Sequence, residues 1–136
     1  MTFEDLDAWK RSRQMVKSIY TLTRQTPLAR DYGLVGQLQR AGVSVMSNIA
    51  EGFERMHPQE KLQFYNVAHA STAEVRSLLY VIEDNFATSA PAATALRQEA
   101  AEVGKLVGGL MRSTAQRQPG RKFIGDLLAL LGVGIA

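Results

Sequence analysis

The chain has 136 residues, no cysteine, two histidines and sixteen Lys+Arg against thirteen Asp+Glu, for a formal net charge of +3. A chain of about this length folds as one domain that buries roughly two-thirds of its unfolded surface, so a complete core needs no staples. The lack of cysteine excludes disulfides, thiolate metal sites, a cysteine nucleophile and thiol redox chemistry, and the mild basic excess permits contact with nucleic acid without demanding it.

Met1-Thr2-Phe3-Glu4-Asp5-Leu6-Asp7 is acidic and lacks the basic-then-apolar layout of a secretory signal. No apolar run approaches the roughly 20 residues that span a bilayer, so cytoplasm is the expected compartment. Four segments carry helical periodicity, and none alternates with the period of a strand. The expected class is all-α: an up-and-down four-helix bundle over residues 1–115, followed by a linker and tail over 116–136.

The first helix is expected from about Phe3 to Gln25. Thr2 reads as its N-cap, and Glu4 and Asp5 sit in the first turn, where they oppose the helix dipole. Ala8, Trp9, Met15, Val16, Ile19, Leu22 and Thr23 form its inner face. Thr26-Pro27 stops it, because the residue before proline avoids helical geometry. After Asp31-Tyr32-Gly33, a second helix is expected from Leu34 to Gly52, with Leu34, Leu38, Ala41, Val45 and Ile49 on one face. Gly52 reads as a C-cap, placing the turn of a helical hairpin at Asn48-Ile49-Ala50-Glu51-Gly52 or just beyond it, at Phe53-Glu54-Arg55.

His57-Pro58 restarts the chain with proline at the first helical position. The third helix is expected over Pro58–Asn85, with Leu62, Tyr65, Ala68, Thr72, Val75, Leu79 and Ile82 as its core stripe. Thr88-Ser89-Ala90-Pro91 opens a fourth helix that runs to about Thr114 and turns Leu96, Val103, Leu106, Val107 and Leu110 inward. Gly104, Gly108 and Gly109 each lower its helix propensity by about 1 kcal/mol, which close packing must offset. Gln116 to Lys122 reads as a linker, and Phe123 to Ala136 as an apolar tail. Phe123, Ile124, Leu127, Leu128 and Leu131 share a face there if the tail is helical.

Two stripes stand out against this frame. Gln37, Arg40, Ser44, Asn48, Glu51 and Arg55 form a polar line along the second helix, and an antiparallel hairpin about the 55–58 turn brings Arg40 near the level of Glu74 and Asn48 near that of Tyr65, as levels and not contacts. Such a line either fixes the register of the hairpin through internal bonds or serves as a ligand or subunit contact. On the first helix, Lys10, Arg13, Lys17 and Arg24 fall at steps of three, four and seven on the side away from the apolar set. That basic stripe of about four turns either tracks nucleic-acid phosphates or is a paired or solvated face, since no cluster of base-stacking aromatics accompanies it in sequence.

Glu54 and His57 form one Glu-x-x-His, straddling the proline turn, whereas di-iron bundles need two copies and further carboxylates. His69 reads as the edge of the third helix's packing face. With no Gly-rich phosphate loop, nucleophile elbow or acid–base pair, neither a cofactor, a metal nor an enzymatic activity is expected.

Gly33-Leu34, Gln37-Leu38, Arg40-Ala41, Ser44-Val45 and Asn48-Ile49-Ala50-Glu51-Gly52-Phe53-Glu54-Arg55 resemble the signature of the 23S rRNA-intervening-sequence proteins, a bacterial four-helix-bundle family. The resemblance takes in Leu6, Trp9, Ile19-Tyr20 and Pro27 upstream, and Phe64-Tyr65, Ala68, Ser71 and Glu74 downstream. Departures fall at Val35, where the family commonly has Thr, and at Ala29-Arg30-Asp31, which replace a usual Glu. The resemblance implies an up-and-down bundle assembled as a cyclic homopentamer, with no catalytic residues. A structurally similar accessory protein of diversity-generating retroelements engages reverse transcriptase and nucleic acid. The resulting expectation is a homo-oligomeric scaffold or adaptor that binds RNA or DNA, or a nucleic-acid enzyme, through Lys10, Arg13, Lys17 and Arg24. The alternative is a protein-interaction module that uses the bundle surface or the tail and is indifferent to nucleic acid.

Overall fold

Apolar side chains recurring every three or four residues drive four amphipathic helices together. In the computed structural model, which describes residues 1–117, they are α1 (Asp7–Leu22), α2 (Tyr32–Glu54), α3 (Pro58–Asn85) and α4 (Ala90–Gln116). Each helix packs on its sequence neighbours, and α4 closes back onto α1. Contacts across every pair run in opposite chain directions. Gln39 bonds Thr23 while Gly42 meets Ile19, Ser44 bonds Ser71 while Gly52 meets Tyr65, Arg97 bonds Glu83 while Gly104 meets Thr72, and Arg11 pairs with Glu102 while Ser89 bonds Gln25. All four neighbouring pairs are therefore antiparallel, as an up-and-down chain path requires. The core between them is built from fully buried Met15, Ile19, Leu38, Ile49, Leu62, Tyr65, Leu79, Ile82 and Met111.

The first helix is shorter than its sequence suggests. Phe3–Asp5 form a separate 3₁₀ turn, closed by the Asp5 carboxylate accepting from the Thr2 backbone N–H at 2.9 Å, so Thr2 caps that turn and not α1. Leu6 is extended (φ −72°, ψ 130°) and half-buried against the core, which breaks the helix before Asp7. At the other end α1 stops at Leu22, three residues before the expected Gln25, where the buried Thr23 hydroxyl donates to the Ile19 carbonyl at 2.9 Å. The Thr26–Pro27 peptide is cis, and a second 3₁₀ turn, Leu28–Arg30, drives Leu28 fully into the core.

The second helix begins at Tyr32, two residues early, because the Asp31 carboxylate accepts the Leu34 N–H at 3.2 Å and caps it. It also runs past Gly52 to Glu54. Gly52 is thus buried inside α2 and is not its cap, and the hairpin turns at Arg55-Met56-His57, where the 55–58 pairing places it, and not at Asn48–Gly52. Lys61 reaches back from α3 to donate to the Phe53 carbonyl at 2.6 Å, satisfying a last-turn acceptor that a glycine cap would otherwise have served. The third helix spans the expected residues, and its whole expected stripe is buried. In α4, Leu96, Val103 and Val107 are buried, but Leu106 and Leu110 are only half-buried. Small residues, Ala93, Ala100, Gly104 and Gly108, take up the inward positions. The helix ends at Gln116, so that residue belongs to the bundle, while the tail expected at 123–136 lies outside the described residues.

Between α3 and α4, the Arg97 guanidinium bonds both Glu83 oxygens (2.9 and 3.2 Å) and lies 4.1 Å from the Tyr80 ring centroid, while the Thr94 hydroxyl donates to the same carboxylate. The Arg97 and Thr94 hydrogen bonds hold the Glu83 carboxyl below the usual range. Burial, assisted by the charge of Arg76, lowers the basicity of His69 on α3. Both groups have depressed folded-state values, so the stability each contributes is present above its ordinary pKa and is lost as pH falls through the folded one. The urea midpoint is therefore expected to drop in two stages on acidification, the first below about pH 6.5 and the second below about pH 4.5. His69→Gln should flatten the first and Glu83→Gln the second; a profile that neither change alters would contradict the assignment.

Candidate nucleic-acid interface

The inward stripe Ala8, Ser12, Met15, Ile19 and Leu22 fixes the rotation of α1 and so turns Lys10, Arg13 and Lys17 to the outside, where all three are exposed. Seven residues at 1.5 Å each put Lys10 and Lys17 about 10 Å apart along the axis. Arg24 does not continue the line. It lies in the turn beyond the end of α1, so the helical stripe is about two turns long and not four. Arg11, the remaining cation of this stretch, pairs with Glu102 of α4. Among the described residues, none of Lys10, Arg13, Lys17 and Arg24 is in an ion pair.

The three helical cations share a surface groove of about 560 Å³ with Glu4, Trp9 and Gln14. Trp9, expected among the inner residues, is half-buried: it packs against the core and also lines this groove. The Phe3 ring meets it edge-on (centroids 5.2 Å apart, planes at 69°), and the Arg13 guanidinium sits 5.8 Å from its ring centroid. One indole, braced by Phe3, therefore lines the groove beside the cations. The sequence conceals the bracing, because Phe3 reaches Trp9 only through the 3₁₀ turn and the break at Leu6.

The polar line of α2 divides. Ser44 and Ser71 share a hydrogen bond at 2.9 Å across α2 and α3, Asn48 donates to the Ser44 carbonyl (2.8 Å) and hydroxyl (3.1 Å), and Gln37 approaches Glu74 at 3.5 Å. The contacts at these levels fall one turn away along α2: Gln37 is the residue that bonds Glu74, and Gly52 packs on Tyr65. Arg40 is exposed and lines a shallow groove of about 390 Å³ with Tyr20, Gln39, Val43 and Ser47. Glu51 is exposed beside Phe3, Ala50, Glu54 and Arg55, and the Arg55 guanidinium lies 4.5 Å from the Phe64 ring centroid.

His57 is exposed ahead of Pro58, away from His69 on the body of α3. Among the described residues no group of three or more His, Asp or Glu is placed to hold a metal ion, and no helix is long and apolar enough to cross a membrane.

The fold and the groove together define a small all-α protein of four antiparallel helices with a basic, aromatic-lined face on its first helix. The family model described as 23S rRNA-intervening sequence protein matches residues 4–109, well over half of the chain, and the chain belongs to that family. No curated protein matches it significantly in sequence.

Proposed function

We propose that the chain is a non-enzymatic, homo-oligomeric scaffold or adaptor whose α1 face contacts nucleic acid, alone or together with a nucleic-acid enzyme such as a reverse transcriptase. The observation that carries this reading is the set of exposed cations Lys10, Arg13 and Lys17, which line one groove without ion-pair partners among the described residues. A face of this kind attracts phosphates and releases their counterions on binding. Self-assembly rests on the family resemblance, which implies a ring of five. The outward sides of α2 and α3 offer exposed Val43, Val67 and Val81 for contacts between copies. A ring multiplies a weak basic face into a useful one, because each further contact on a long polyanion forms at high effective concentration.

The test is an anisotropy titration with structured RNA and duplex DNA between about 50 and 200 mM salt, with light scattering to report assembly. Affinity is expected to fall steeply with salt, and Lys10→Glu/Arg13→Glu/Lys17→Glu to weaken it at least tenfold while leaving the scattering mass unchanged. Salt-insensitive binding, or none at micromolar protein, would defeat the reading.

A further inference from the structure

We infer that the α1 groove binds single-stranded nucleic acid in preference to duplex, with an unpaired base stacked at Trp9 and the phosphates on one side of it held by Lys10 and Lys17. The inference rests on the nucleic-acid reading above and adds the form of the ligand. A groove meant only for a duplex backbone needs cations alone, whereas this one also includes an indole at the Lys10 end of its cation row. The ring is held by a T-shaped contact with Phe3 and by the Arg13 guanidinium over it, so little side-chain freedom is lost when a base arrives. Arg13 extends the platform, since a guanidinium plane stacks on bases as an aromatic ring does.

The other two lining residues fit a base better than a phosphate. Gln14 can donate to and accept from a base edge. Glu4 would repel a phosphate oxygen but accepts from an exocyclic amino group. In a duplex the base faces are stacked away inside the helix, so Trp9 gains nothing from it. From its Trp9 end the row Lys10 to Lys17 runs about 10 Å along α1, a length over which a strand with a base at Trp9 can place successive phosphates.

Trp9 is the chain's one tryptophan, so its fluorescence reports on this groove alone. The full chain is titrated with unstructured pyrimidine oligonucleotides of about twelve nucleotides, one RNA and one DNA, and with a duplex of equal length. Intrinsic emission and the anisotropy of labelled oligonucleotide are followed together. Single strands are expected to quench the emission and to bind at least tenfold tighter than duplex. Trp9→Leu should lower single-strand affinity by about 5- to 150-fold, the loss of one stacked base, and leave duplex affinity unchanged. Trp9→Phe, which keeps an aromatic ring at the position, should retain much of the preference and guards against a folding defect. Single-strand binding with unchanged emission, or a Trp9→Leu loss equal for both ligands, overturns the stacking but leaves phosphate contact by the cations intact. Anisotropy that detects neither ligand removes the nucleic-acid reading itself.

Discussion

Replacing Tyr65 by alanine is expected to destabilise the bundle by about 3–5 kcal/mol, the cost of truncating a large buried aromatic. Tyr65 is 1% exposed and lies on the inward stripe of α3, with its ring against the backbone of α2 at Gly52. No neighbour is placed to fill the space, since the facing residue has no side chain to advance. Against the 5–15 kcal/mol total typical of a domain, this one truncation removes a large share of the stability. Burial pushes the Tyr65 hydroxyl up to about 12, so it stays protonated at neutral pH and the ring acts as an uncharged wedge. Tyr65→Phe, which keeps the ring, should change stability by about 1 kcal/mol or less. Urea unfolding followed by circular dichroism separates the two, and near-equal midpoints for Tyr65→Ala and Tyr65→Phe would show that the ring does not hold the hairpin.

What could be read from the sequence depended on whether a signal was local. The third helix was legible to the residue because Pro58 marks its start, and because a stripe from Leu62 to Ile82 repeats long enough to fix one face. Leu28 was not legible, since a three-residue turn has no period and its burial follows from how the 22–32 connection crosses the bundle. Gly52 was misread because glycine near a helix end usually serves as a cap. Here its bare backbone serves close approach, a property of α3 that α2 does not encode locally.

The candidate interface divides along the same line. The rotation of α1, and so the outward Lys10, Arg13 and Lys17, followed from the apolar spacing. That Arg11 leaves the group to pair with Glu102, ninety-one residues away in sequence, needed the closure of α4 onto α1. The loss of Arg24 needed the true end of the helix, which one buried threonine hydroxyl helps to set. The pairing of Phe3 with Trp9 needed the extended Leu6, a break that no proline or glycine announces.

Gly52→Val is expected to cost about 3 kcal/mol, although substituting glycine inside a helix ordinarily helps. A Cβ at Gly52 would lie 2.6 Å and 2.8 Å from two Tyr65 ring carbons and 3.0 Å from the Cβ of Phe64. The ring is enclosed and Phe64 Cβ is fixed to the α3 backbone, so the two helices must separate. That overpacking, about 1–3 kcal/mol or more, outweighs the propensity gain of about 1 kcal/mol even for alanine. Two other glycines calibrate the effect. At Gly42 the same Cβ would meet the Ile19 Cδ1 at 2.6 Å, the far end of an aliphatic side chain and not a ring or a backbone-fixed atom, so Gly42→Ala should cost less than Gly52→Ala. At Gly109 only the tip of Arg112 is near, at 3.7 Å, and Gly109→Ala should stabilise by about 0.5–1 kcal/mol. The expected order of urea midpoints is Gly109→Ala, Gly42→Ala, Gly52→Ala, Gly52→Val, from most to least stable. If Gly52→Ala instead matches Gly109→Ala, the close approach of α2 and α3 is not what the glycine is for. The decisive control is the pair: once Tyr65→Ala has opened most of the space, Gly52→Ala should cost markedly less than it does beside the intact ring, a coupling that two independent sites would not show.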